Sequence, residues 1–133
     1  MRILPLLLLI GCSAAPPRVV EFDSTPIETV RSTSGALSLA VYAPAAQSLR
    51  GASELELTIS DASGVPIDGL TLDVVPWMPS HAHGTSVVTL VEPIGNGSYV
   101  VRDVNLFMPG RWQLRVSVTG PMSDSLTPIL DVP

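Results

Sequence analysis

"GNGSYVVRDVNLFMPGRWQLRVSVT", residues 95–119, decides the fold class. Gly95-Asn96-Gly97 signals a tight turn, because glycine and asparagine accept the positive φ that such turns need. Residues 99–106 then read as a strand, and Pro109-Gly110 makes a second turn. After it, Trp112, Leu114, Val116 and Val118 alternate with Gln113, Arg115, Ser117 and Thr119. That is the two-residue period of a strand with one face in a core and one in water.

The same grammar extends outward. Residues 54–60 put Leu55, Leu57 and Ile59 on one face and Glu54, Glu56 and Thr58 on the other. Leu37, Leu39 and Val41 alternate over residues 37–42, and Asp61-Ala62-Ser63-Gly64 is a turn. Leu70, Leu72 and Val74 form another inward set, residues 86–91 a further strand, and residues 128–132 a last short one. No run carries the 3.6-residue apolar period of a helix, and thirteen prolines punctuate the chain. About seven short strands separated by turn signals predict an all-β fold, an immunoglobulin-like antiparallel β-sandwich over residues 36–133. It lacks the Cys–Trp–Cys pattern of antibody domains.

The start of the chain sets the compartment. Residues 1–12, MRILPLLLLIGC, place one arginine before an apolar run too short to span a bilayer, so residues 1–11 read as an export signal. Leu9-Ile10-Gly11-Cys12 resembles a bacterial lipobox. The resemblance implies cleavage before Cys12, lipid on its sulfur, and, from Ser13, sorting to the outer membrane where there are two. A buried free thiol, or an ordinary signal peptide that contains a cysteine, is the plainer alternative. Cys12 is the only cysteine, which excludes an intramolecular disulfide, and its position at the cleavage point suits lipidation better than redox chemistry. Lipid there would hold the protein at a membrane without a spanning helix. Residues 12–35, rich in Ser, Thr and Pro, read as a tether that leads into a poorly defined first strand.

Charge narrows the partners. The chain carries seven basic residues, all arginine, against twelve acids, for a formal −5. Such a balance disfavours nucleic acid and anionic headgroups, both of which reward basic patches.

One stretch does not serve the strand pattern. WMPSHAHGTS, residues 77–86, holds both histidines of the chain, His81 and His83. Met78 lies three residues ahead of His81, and Met108 stands in the second Met-Pro, FMPGRW. In extended backbone, side chains at i and i+2 point the same way, so the two imidazoles could reach one ion. In a sandwich of this order the two loops fall at one end, bringing Met108 toward Met78, His81 and His83. Imidazole with thioether is a soft donor set that selects copper, Cu(I) above Cu(II). Zinc would call for thiolate or carboxylate, and calcium or magnesium for oxygen. The bland reading stands beside it: Met78 and Met108 cap the core against Trp77 or Trp112, and His-x-His is a common coincidence. Met122, in GPMSDS, reads as an exposed loop residue.

Taken together, Met78-Pro79, His81-Ala82-His83-Gly84, Gly97-Ser98-Tyr99 and Met108-Pro109-Gly110-Arg111-Trp112 resemble the YtkA-like domain, related to the FixH family, over roughly residues 35–120. The resemblance implies a small β-sandwich outside the cytoplasmic membrane, often lipid-anchored. In some members it implies copper delivery to a respiratory oxidase. This chain departs in lacking a second Met- or His-rich segment and a transmembrane helix of its own. Three functions follow: a copper-carrying lipoprotein, a sandwich that binds partners or supports structure without metal, and an enzyme. The enzyme is the weakest, since there is no GxSxG and both histidines lie in one loop; the expectation is a non-catalytic protein.

Overall fold

In the computed structural model, which describes residues 20–133, each long apolar alternation of the sequence is a strand. Ten strands lie among the described residues: β1 (Glu28–Arg31), β2 (Leu37–Tyr42), β3 (Gly51–Asp61), β4 (Thr71–Met78), β5 (His83–Gly84), β6 (Leu90–Gly95), β7 (Ser98–Leu106), β8 (Gly110–Thr119), β9 (Asp124–Leu126) and β10 (Ile129–Val132). Cys12 and the lipobox lie outside the described residues.

All pairings are antiparallel, and they build two sheets. One has the order β1-β2-β3-β7-β6; the other runs β10-β8-β4-β5, with β9 also on β8. Without the short β1 and β5, and with β9 and β10 taken as one interrupted strand, this is the four-plus-three order of an immunoglobulin constant-type sandwich. The inward residues are those the alternation marks. Leu39, Val41, Leu55, Leu57, Leu114 and Val116 are among the buried side chains that fill the space between the sheets. Burial of a side chain of this size contributes about 1.5–3 kcal/mol before ordering costs.

β7 keeps its core face only through an irregularity. Ser53 pairs with Val104 and Leu55 with Val101, so β7 carries one residue more than β3 across this step. Asp103 takes up the slack at φ +59°. Tyr99 and Val101 point inward before this bulge, and Val104 and Leu106 after it.

Two fastenings hold the connections. The Tyr99 hydroxyl donates to the Ile67 carbonyl at 3.0 Å and accepts from the Leu70 N–H at 3.2 Å, tying the β3–β4 link to β7. At the other edge the Ser34 hydroxyl donates to Asp124 at 2.6 Å, and the Thr33 N–H to the Ser125 carbonyl. Hydrogen bonds from the Ser34 and Ser32 hydroxyls hold the Asp124 carboxyl down at about 2.

Three expectations change. Residues 86–89 are not strand; pairing starts at Leu90. The Val87 N–H goes to the Thr85 hydroxyl and the Thr89 hydroxyl to the Val74 carbonyl of β4 at 2.6 Å, so side-chain hydroxyls take the place of a ladder. The strand expected at the end of the tether is β1, paired with β2 from Glu28↔Val41 to Arg31↔Ser38. Met122 is half-buried against the core and is not an exposed loop residue.

Candidate metal-binding end of the sandwich

β4 and β8 run antiparallel, with Thr71 opposite Thr119 and Trp77 opposite Gln113. The C-terminal end of β4 therefore meets the start of β8, which brings the two Met-Pro loops together. Past Met78 the chain makes a 3-10 turn, Pro79–His81, whose proline suits the first helical position. Ala82 follows at φ +52°, and its N–H closes the turn on the Pro79 carbonyl at 3.2 Å. The chain then folds back on itself: His83 pairs with Met78 and Gly84 with Trp77.

The local conformation thus differs from the extended segment expected for His81-x-His83. His81 belongs to a 3-10 turn, and a left-handed residue separates it from β5. The turn nonetheless brings the rings within 5.5 Å, centroid to centroid, tilted by 49°. Two imidazoles bound through nitrogen to one ion at about 2 Å put their centroids at most roughly 6 Å apart, so this spacing suits a shared cation. His81 is exposed and His83 half-buried.

The methionines part company. Met78 is 1% exposed and belongs to the core. Its Cε lies 2.7 Å from where a Cβ on Gly110 would stand, so the turn before β8 closes directly over it. Met108 is half-buried against the core. The Trp112 indole N–H donates to the Met108 carbonyl at 3.0 Å and gives the Met-Pro-Gly-x-Trp spacing its physical sense: the indole closes its own turn. The same indole stands edge-on to His83 at 6.2 Å, which links the Met108 turn to the histidine loop.

Phe107, directly before the Met108 turn, belongs to this group. Its ring stacks on His83 at 5.6 Å and 17°, and meets Trp112 edge-on at 5.6 Å. The signal was an aromatic residue directly before Met-Pro-Gly. At the rim Arg111 pairs with Asp131 at 2.9 Å, an exposed ion pair worth little to stability.

Among the described residues, no three His, Cys, Asp or Glu side chains come together. A third ligand beside the histidines would then come from thioether, backbone or solvent. A hollow of about 670 Å³ lies on the outer face of the first sheet, lined by Glu54, Glu56 and Arg102 among others, and holds neither histidine. Among the described residues, no helix is long and apolar enough to cross a membrane.

A family model described as YtkA-like matches residues 36–117, from the edge of β2 through most of β8. The match is more than half of the chain and includes Met78, His81, His83, Phe107, Met108 and Trp112. No curated protein and no solved structure matches it. The chain belongs to the YtkA-like family.

Proposed function

We propose that this protein is an exported, lipid-anchored copper carrier that holds Cu(I) at one end of its sandwich. His81, His83 and Met108 are the ligands. Met78, buried at the same end, supports the loop from the core side. The observation that carries the reading is the 5.5 Å approach of the only two histidines in the chain, with the Met108 turn linked to them through Trp112. Two neutral imidazoles and a thioether bring no charge, so they suit a soft monovalent cation better than a hard dication. Copper is cargo here: nothing in the reading requires a reaction, and the protein acts by binding and release. A membrane-held acceptor such as a respiratory oxidase is the partner that the family resemblance suggests.

A second reading is favoured by the burial of Met78 and by the His83–Phe107–Trp112 packing. In it this end is an ordered corner of a non-catalytic interaction domain. Titration with Cu(I) against a competing chelator separates the two. On the copper reading His81→Ala and His83→Ala each lower Cu(I) affinity by roughly tenfold or more, and Met108→Ala weakens Cu(I) more than Cu(II). Unchanged Cu(I) affinity in both histidine variants would leave only the interaction domain.

A further inference from the structure

We infer that His83 offers Nε2, not Nδ1, to the cation, and that the Gly84 carbonyl and the Phe107 ring are the groups that hold it in that pose. The choice of atom rests on the copper reading, whereas the pose belongs to the metal-free protein.

His83 Nδ1 lies 3.1 Å from the Gly84 carbonyl oxygen. A carbonyl only accepts, so a neutral imidazole makes this bond only with the proton on Nδ1. The lone pair is then on Nε2. Histidines that bind metals commonly donate their other N–H to a carbonyl or carboxylate, which fixes tautomer and orientation before the ion arrives.

The acceptor is itself held. Gly84 of β5 pairs with Trp77 of β4, and a Cβ on Gly84 would stand 2.9 Å from the Pro76 carbonyl oxygen and 3.5 Å from the Trp77 ring. Only glycine lets the backbone come this close. Phe107 supplies the second restraint. It is 44% exposed, an unusual place for a phenyl ring in a chain with so few aromatics, and its face lies on the imidazole of His83. Turning the ring over would break the Gly84 bond and exchange the ring atoms that meet Phe107 and Trp112. Phe107 is thus a positioning residue: it touches the ligand ring, and the reading gives it no contact with the metal.

The test uses the full chain in detergent micelles, labelled with nitrogen-15 at histidine, in alkaline buffer. Only two rings contribute, and His81→Gln assigns them. Long-range proton–nitrogen correlations should show His83 as the Nδ1–H tautomer without metal. Phe107→Ala should move it toward the Nε2–H form that free histidine prefers and lower Cu(I) affinity roughly tenfold, while Phe107→Tyr should restore both. Cu(I), added without oxygen as its acetonitrile complex, should shift Nε2 of His83. An Nε2–H tautomer in the metal-free protein, or a Cu(I) shift at Nδ1, overturns the inference and leaves the copper reading standing. An Nδ1–H ring that Cu(I) does not perturb overturns the copper reading, and the choice of Nε2 as ligand falls with it.

Discussion

Trp112 shows how one side chain serves both core and loop. Its ring is fully buried, while its N–H reaches the Met108 carbonyl at 3.0 Å. Replacing it by phenylalanine keeps an aromatic in the core but leaves that carbonyl without its donor and opens a gap beside it. The lost bond costs about 1 kcal/mol, and the missing ring volume adds a similar amount. Trp112→Phe should therefore lower stability by about 2 kcal/mol in denaturant unfolding and weaken Cu(I) binding through a loosened Met108 turn. A variant as stable as the parent would show that the indole–carbonyl bond contributes nothing. At this scale the sequence marks chemistry well when residues are scarce: two histidines in one loop draw the eye. Its mark on Phe107, an aromatic directly before Met-Pro-Gly, is weak, because an aromatic beside a turn usually faces the core. Nor does it separate Met78 from Met108. Their neighbourhoods are alike, and only the pairing of β4 with β8 puts one in the core and the other at its edge.

At the scale of elements, alternation was legible wherever a strand keeps its phase. β3 and β8 follow it from end to end. β7 does not, for a strict two-residue period from Tyr99 would turn Asp103 and Asn105 inward. The bulge at Asp103 restores the phase, and nothing local in VVRDVN announces it. Residues 86–89 mislead in the other direction: valine and threonine favour strands, yet here the Val87 N–H goes to the Thr85 hydroxyl and the Thr89 hydroxyl to the Val74 carbonyl of β4. The Gly95-Asn96-Gly97 turn was legible as a turn, but not as a buttress. Gly97 has φ +72°, donates its N–H to Asp68 at 2.8 Å and accepts from the Ile59 N–H. A Cβ there would meet the Ile59 carbonyl oxygen at 2.5 Å and the Pro66 ring at 2.9 Å. At Gly95, φ is +90° and the space is open. Gly95→Ala should cost about 1–2 kcal/mol, the strain of the left-handed region alone. Gly97→Ala should cost at least about twice as much, since backbone and a proline ring must yield as well. Equal unfolding midpoints for the two variants would refute the buttress.

For the whole molecule, what alternation cannot supply is which strand neighbours which, because the pairings join residues far apart in sequence. The order of the sheets, once known, gives the two ends different roles. β4 and β7 finish, and β8 begins, at the histidine end; β3 begins there too, since Gly51 pairs with Leu106. β2 runs toward the same end but stops midway along β3, as Tyr42 pairs with Glu56. The first described residues run alongside and past that finish, with the Ala45 N–H donating to Glu21 and Phe22 bridging Pro44. The chain thus enters over the outer face of the first sheet, where Val20 and Phe22 line the hollow with Glu54, Glu56 and Arg102. The eight peptide steps from Cys12 to Val20 span at most about 28 Å. A lipid on Cys12 would therefore keep the domain close to the bilayer, where a membrane-embedded acceptor could meet it. Charge offers no substitute for that lipid. Removing residues 1–11 takes away Arg2 and leaves six basic residues against twelve acids, a formal −6 that anionic headgroups repel. Cys12→Ser should accordingly move the protein from the membrane pellet to the soluble exported fraction, with its unfolding midpoint unchanged because the sandwich does not use this residue for a disulfide. A Cys12→Ser protein that sediments with membranes as fully as the parent would sink the anchor, and with it the reason for placing the protein at the bilayer.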